Sequence, residues 1–222
     1  MALPANLLEA VRRHWGFHTL RPLQERAIAA SLSGRDSLVV MPTGGGKSLC
    51  YQAPALVRPG LTVVVSPLIA LMKDQVDGLT RIGVPAARLD STLTMRETTA
   101  MRDRIAKGEI RLVFTSPERL VNTDIARLLQ EAGAHTVAVD EAHCVSHWGH
   151  DFRPEYRMLA RLRDYFPGAS VHGYTATATE RARVDIATQL GLRNPEVLVG
   201  NFDRPNLTYR VLPRLDVLEQ VK

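Results

Sequence analysis

The sequence predicts an α/β fold: a doubly wound, mostly parallel sheet with helices on both faces. Short β-branched runs recur with amphipathic stretches between them, the alternation that builds βαβ units. The runs are also nearly continuous in apolar character, as strands covered on both faces must be. With 222 residues and 45% hydrophobic content, the chain is long enough to bury one large core.

Six runs read as strands in chain order: "SLVV" (37–40), "TVVVS" (62–66), "RLVFTS" (111–116), "TVAVD" (136–140), "VHGYTAT" (171–177) and "EVLVG" (196–200). Helix ends are marked between them. Ser116, Pro117 and Glu118 supply a cap, a first-turn proline and first-turn acidity, and Gly191 closes the segment that starts near Thr179. Arg153, Arg157 and Arg161, spaced by four, read as one helical stripe, solvated beyond Arg153. Past residue 200, "NFDRPNLTYRVLPRLD" loses the alternation and carries two prolines. Residues 1–205 therefore read as one unit, and 206–222 as an exit segment. No internal repeat or low-complexity stretch interrupts the pattern.

Composition narrows the function classes. The longest apolar run, "LTVVVSPLIALM" (61–72), is broken by Thr62, Ser66 and Pro67 and is too short to span a bilayer. The N-terminal "MALPANLLEAVRRHWG" lacks the apolar core of a signal peptide. No membrane partner is expected, and the expected location is the cytoplasm, at the nucleoid if the source is bacterial. Cys50 and Cys144 lie far apart and outside any CxxC pair, so both read as packed thiols and neither a disulfide framework nor a zinc site is expected. The net charge of +5 suits a polyanionic partner without demanding one. Arginine outnumbers lysine 24 to 4; its planar fork suits phosphate and base contacts, and genome composition produces the same ratio.

Two constellations carry chemistry. In "VVMPTGGGKSLCYQAPAL" a strand runs into a glycine turn and then a helix. Gly44, Gly45 and Gly46 allow a tight turn with N–H groups aimed at an anion, Lys47 adds a positive charge, and the Ser48 hydroxyl can ligate Mg2+. Met41 stands where the general phosphate-loop pattern has a glycine. In "VAVDEAH", Asp140 and Glu141 fall at the carboxyl end of an apolar strand, the edge where open α/β sheets bind ligands. Asp140 can hold a Mg2+ ion bridging terminal phosphates, and Glu141 can orient or deprotonate a water for in-line attack.

With "SPLIALMKDQV", "TSPERL", "SHWGHDFRPEY" and "TATAT", these motifs resemble in order and spacing the RecQ family of superfamily 2 DNA helicases, from about Leu7 to Arg210. The resemblance implies the first RecA-like lobe of a P-loop NTPase, with ATP and Mg2+ as cofactors. It assigns nucleotide contacts to Thr43, the three glycines, Lys47 and Ser48. It adds an adenine-recognition segment within 7–28, where Phe17 stacks on the base, Gln24 bonds its edge and Arg21 supports nucleotide or sheet. It answers why "DEAH" runs into aromatics: the loop at 144–156 senses single-stranded DNA, with Trp148 and Phe152 as stacking faces and Arg153 as a fork. His143 would couple the two sites. Ser66, Lys73 and Arg119 resemble residues that track the DNA backbone, and Thr175, Ala176 and Thr177 the motif linking ATP state to lobe movement.

The sequence departs from the family at His147, where glutamine is common, at Thr115 and Ser116, and at Asn201. No second glycine-rich sheet or later arginine motif occurs in these residues. The expected partners are therefore single-stranded and duplex DNA and a second RecA-like lobe carrying the arginine finger, without which hydrolysis is expected to be weak. The expected activity is ATP-driven 3′-to-5′ movement on single-stranded DNA with duplex unwinding. The alternative is a nucleotide-gated DNA-binding module with little hydrolysis of its own. A small GTPase is disfavoured because no asparagine precedes any of the four lysines.

Overall fold

A computed structural model describes residues 3–121, 123–201 and 207–208. Most of the expected exit segment lies outside the described residues. Helices α1 (Ala5–Trp15) and α2 (Pro22–Leu32) precede strand β1 (Ser37–Val40). Short helices α3 (Leu49–Gln52) and α4 (Pro54–Val57) lead into β2 (Leu61–Val65), followed by α5 (Ile69–Arg81), β3 (Ala86–Leu89) and α6 (Met95–Ala106). Then come β4 (Leu112–Thr115), α7 (Pro117–Leu120), α8 (Thr123–Glu131) and β5 (Ala134–Val139). Two 3₁₀ segments, Ala142–Val145 and Pro154–Arg161, carry the chain to α9 (Leu162–Tyr165), β6 (Ser170–Thr175), α10 (Glu180–Gln189) and β7 (Glu196–Val199).

Among the described residues seven strands form one parallel sheet in the order β3-β4-β2-β5-β6-β1-β7. All six runs read from sequence lie in it. The additional strand, β3, comes from "AARL", which has no β-branched residue and carries a charge. It is an edge strand paired only with β4, so neighbouring backbone and not side-chain propensity makes it extended.

Both sheet faces are apolar, which explains the absence of period-two alternation. On one face Leu38, Val40, Val63, Val65, Val137 and Val139 pack with Leu129, Leu159 and Ile186. On the other, Val39, Val64, Phe114, Ala138 and Tyr174 pack with Ala27, Tyr51, Met72 and Leu79. Adjacent residues on one strand thus feed different cores, and truncating any of these large side chains to alanine should cost about 2–5 kcal/mol. A third layer sets Leu7 and Val11 of α1 against Ile28, Leu49 and Ala53.

Helix α10 begins as expected: the Thr179 side chain accepts from Ala182 N–H, and Gly191 follows at φ +59°. Ser116 occupies the N-cap position of α7 without a side-chain cap bond. The expected arginine stripe is corrected by the 3₁₀ geometry of Pro154–Arg161. At three residues per turn, positions four apart point about 120° apart. The three guanidinium groups accordingly go separate ways, Arg153 to Asp151, Arg157 to His147 and Arg161 to Asp164.

The strand order decides where the motifs meet. β6 lies between β5 and β1, with Val139 opposite Gly173 and Val40 opposite Thr175. The glycine turn after β1, the acidic pair after β5 and Thr175 at the end of β6 therefore share one sheet edge.

Candidate functional site

The glycine turn uses its three glycines for two reasons. Gly44 and Gly46 hold φ of +79° and +83°, a region open to glycine and costly for other residues. Gly45 is buried, and a Cβ there would lie 2.7 Å from Pro42 O and strike the Met41 side chain. Met41, in the place of the usual glycine, is part of the core. The turn is closed by Gly45 N–H donating to Pro42 O at 2.8 Å, and Lys47 Nζ donates to Met41 O at 3.2 Å. In this conformation the Gly45 N–H closes its own turn. The residues that the resemblance assigns to adenine brace the same loop. Gln24 Oε1 accepts from Arg21 N–H at 2.9 Å, its Nε2 donates to Gly46 O at 3.3 Å, and the Arg21 guanidinium donates to Gly44 O at 3.0 Å. Phe17, half-exposed, borders a cavity of about 310 Å³ beside Gln24 and Leu49.

Asp140 is buried just beyond β5. Its Oδ1 accepts from Glu141 N–H at 3.0 Å, its Oδ2 from the Tyr51 hydroxyl at 3.4 Å, and its backbone O from the Tyr156 hydroxyl at 3.1 Å. Burial, then the neighbouring Glu141 charge, pushes its carboxyl up to about 6. Because this folded-state value exceeds the unfolded one of about 3.9, the group's contribution to stability is full below the unfolded value and lost as pH rises through 6. Asp140→Asn should therefore raise the melting temperature of the nucleotide-free chain at pH 8, by about 2–4 °C per kcal/mol recovered, and the gain should vanish near pH 4. Thermal melts across that range check this; a pH-independent gain would refute it.

Glu141 adopts φ +48°, a left-handed conformation that costs a non-glycine residue about 1–3 kcal/mol and recurs at functional turns. It turns the chain into the Ala142–Val145 segment, which places His143 Nδ1 3.2 Å from Glu141 Oε2 and 2.9 Å from Thr175 Oγ1. Thr175 donates its own hydroxyl to Thr177 O at 3.2 Å, so the hydrogen-bond network assigns the Nδ1 proton to His143, shared between carboxylate and threonine. The His143 hydrogen bond holds the Glu141 carboxyl below its usual range.

The aromatic loop is fastened to this turn and to α10. His150 stacks on His143 with centroids 4.0 Å apart. Trp148 is half-exposed, its backbone N–H donates to Ser146 Oγ at 3.1 Å, and that hydroxyl donates to Asp185 at 2.6 Å. The Arg181 guanidinium lies 3.3 Å from the centre of the indole. Phe152 stacks on His147 at 4.0 Å, and Arg153 makes a forked pair with Asp151 at 2.9 and 3.1 Å.

A family model described as DEAD/DEAH box helicase matches residues 21–185. The chain belongs to this family. Over 99% of its length this helicase-family chain is 45% identical to the ATP-dependent DNA helicase RecQ of Pasteurella multocida, and over 97% it is 40% identical to the RecQ-like DNA helicase BLM of Xenopus laevis. It spans 35% and 17% of those proteins. Among solved structures it is similar to the Mycobacterium smegmatis helicase Lhr bound to ssDNA and AMP-PNP (TM-score 0.69, 23% identity, 89% of this chain and 28% of that one). It is also similar to the DUF1998 helicase MrfA bound to DNA (TM-score 0.68, 21% identity, 90% and 30%). The fold is that of a RecA-like P-loop NTPase.

The residues of this DEAD/DEAH chain that resemble backbone-tracking positions occupy three different settings. Ser66 is buried with no hydrogen-bond partner for its hydroxyl among the described residues, Lys73 is exposed on α5, and Arg119 donates to Asp90 O at 2.8 Å. Thr43 is exposed at the start of the glycine turn. Four contributors were not singled out in the sequence. Tyr51 and Tyr156 look like ordinary core aromatics there. Arg181 and Asp185 had one available signal, a spacing of four that puts both on the same side of α10. Among the described residues, no helix is long and apolar enough to cross a membrane.

Proposed function

We propose that the chain is the first, ATP-binding lobe of a RecQ-type DNA helicase, acting with a second RecA-like lobe to couple Mg-ATP hydrolysis to 3′-to-5′ movement on single-stranded DNA and duplex unwinding. The expected setting is the cytoplasm, at the nucleoid in a bacterium. The supporting observation is the position of His143, which contacts Glu141, Thr175 and the aromatic loop at once.

The residues fit a magnesium ion. Ser48 and Asp140 are hard oxygen donors of the kind Mg2+ prefers, and the Tyr51 hydroxyl interacts with both. A buried carboxylate pushed toward neutrality also gains from a cation. When bound, the ion neutralises charge on the terminal phosphates. Lys47 and the glycine turn hold those phosphates, which requires Lys47 to leave Met41 O. Glu141, kept ionised by His143, orients the attacking water and receives its proton. His143 then reports the state of Glu141 to Thr175 and to the loop through His150. On the DNA side, a base stacking on the covered face of Trp148 must displace Arg181, which leaves that guanidinium positioned for a phosphate.

The test is hydrolysis of ATP with and without single-stranded DNA, beside direct titrations of both ligands. Trp148→Ala should weaken binding of a single-stranded oligonucleotide by about 1–3 kcal/mol, the worth of one stacked base, and leave nucleotide affinity intact. Unchanged DNA affinity and stimulation would refute the sensor assignment. Binding of both ligands without hydrolysis, even after a second RecA-like lobe is added in trans, would favour the nucleotide-gated binding module.

A further inference from the structure

We infer that His143, Cys144 and Asp151 form a binding site for a borderline divalent transition-metal ion of the Zn2+ type, distinct from the magnesium position at Ser48 and Asp140. The inference stands on these side chains whether or not the chain hydrolyses ATP. One imidazole nitrogen, one thiol and one carboxylate oxygen all lie within 4.8 Å of one another. Cys144 Sγ is 3.7 Å from His143 Nε2 and 4.0 Å from Asp151 Oδ2. Metal–ligand bonds of about 2.0–2.3 Å in a tetrahedral site imply ligand separations of about 3.3–3.6 Å. The group therefore needs to contract by less than about 1.5 Å, and most of that movement falls to Asp151, whose side chain is 49% exposed.

The surroundings are those of a ligand set. Zinc-binding histidines almost always give their second nitrogen to a carboxylate or carbonyl, which fixes the tautomer and turns the lone pair to the metal. Here Nδ1 faces Glu141 Oε2 and Thr175 Oγ1, leaving Nε2 directed at the sulfur. Asp151 Oδ2, the oxygen that faces the sulfur, also accepts both bonds of the Arg153 fork, so the ion takes this oxygen in place of the guanidinium, or the carboxylate turns to offer its other oxygen. Histidine and cysteine are buried while the carboxylate is on the surface, so the ion enters from the Asp151 side, where water completes the coordination. Binding replaces the thiol proton, which leaves to solvent, and the cation adds positive charge beside a sulfur that otherwise has only the Arg153 guanidinium nearby. The spacing rule for zinc motifs did not find this group, because His143 and Cys144 are adjacent in sequence and the third ligand is supplied by the loop folding back. A metal here ties the loop to the DEAH turn.

Titration of the reduced 222-residue chain with Co2+ as a spectroscopic substitute tests the site. One equivalent should produce a thiolate-to-cobalt charge-transfer band in the near ultraviolet, and Zn2+ should abolish it. Cys144→Ser should remove the band and Cys50→Ser should keep it. Absence of the band in the wild-type chain, its survival in Cys144→Ser, or its loss in a folded Cys50→Ser variant overturns the inference. If Cys144→Ser does not fold, Asp151→Ala decides on an exposed residue: Co2+ affinity should fall at least tenfold, and unchanged affinity overturns the site.

Discussion

In the proposed two-lobed enzyme, Glu141→Gln is expected to abolish DNA-stimulated ATP turnover, by about 10²- to 10⁴-fold, while nucleotide affinity is unchanged. Glutamine has the same shape and keeps a carbonyl oxygen for the His143 Nδ1 proton, so the 3.2 Å contact and the 2.9 Å bond to Thr175 can both persist. The left-handed backbone at φ +48° is no harder for glutamine than for glutamate. Only the negative charge is removed, and with it the ability to orient a water and take its proton. Lys47 and the glycine turn, which would bind the phosphates, lie on a different strand end. Steady-state hydrolysis with single-stranded DNA, set beside a fluorescent-nucleotide titration, separates the two effects. Normal turnover in the variant would remove Glu141 from the chemistry.

Gly149→Ala is expected to uncouple the aromatic loop from the DEAH turn. A Cβ at this position would run into the His143 carbonyl oxygen, lie 3.0 Å from its carbon and come within 3.1 Å of Ser146 O. These are backbone atoms that no rotamer change can move aside. The Gly149 N–H also donates to Ser146 O at 3.0 Å, so shifting residue 149 opens the turn that carries Trp148. Overpacking of this kind costs about 1–3 kcal/mol, or about 2–4 °C of melting temperature per kcal/mol in a chain of this size. The larger consequence is functional: with the Arg181–Trp148 and Asp185–Ser146 contacts displaced, single-stranded DNA should no longer stimulate hydrolysis. Gly78→Ala is the control. It lies within α5 with nothing within 4 Å of its Cβ position, and alanine should be neutral or stabilise by about 0.5–1 kcal/mol. Equal DNA responses in the two variants would refute the coupling.

Much of the site was legible in the primary structure because its signals are local. A strand followed by "GGGKS" and another ending in "DEAH" announce a phosphate loop and an acidic edge, since a tight turn requires glycine and an apolar strand must end where charge begins. Tyr51, Tyr156, Arg181 and Asp185 carry no such signal, and each acquires its role from a partner 16 to 89 residues away. Strand β3 was hidden for the same reason, being extended by its pairing with β4 and not by its own composition. The arginine stripe failed because period alone cannot tell a 3₁₀ segment from an α-helix.

The sequence by itself determined the α/β class, six of the seven strands among the described residues, the glycine turn and the acidic pair, because each follows from the chemistry of a few consecutive residues. Only the tertiary structure decided that β6 lies between β5 and β1, and so that His143 bridges Glu141 and Thr175 while Arg181 covers Trp148. Those relations depend on strand order and register, which are set by the packing of both sheet faces at once and leave no trace in any short window of sequence.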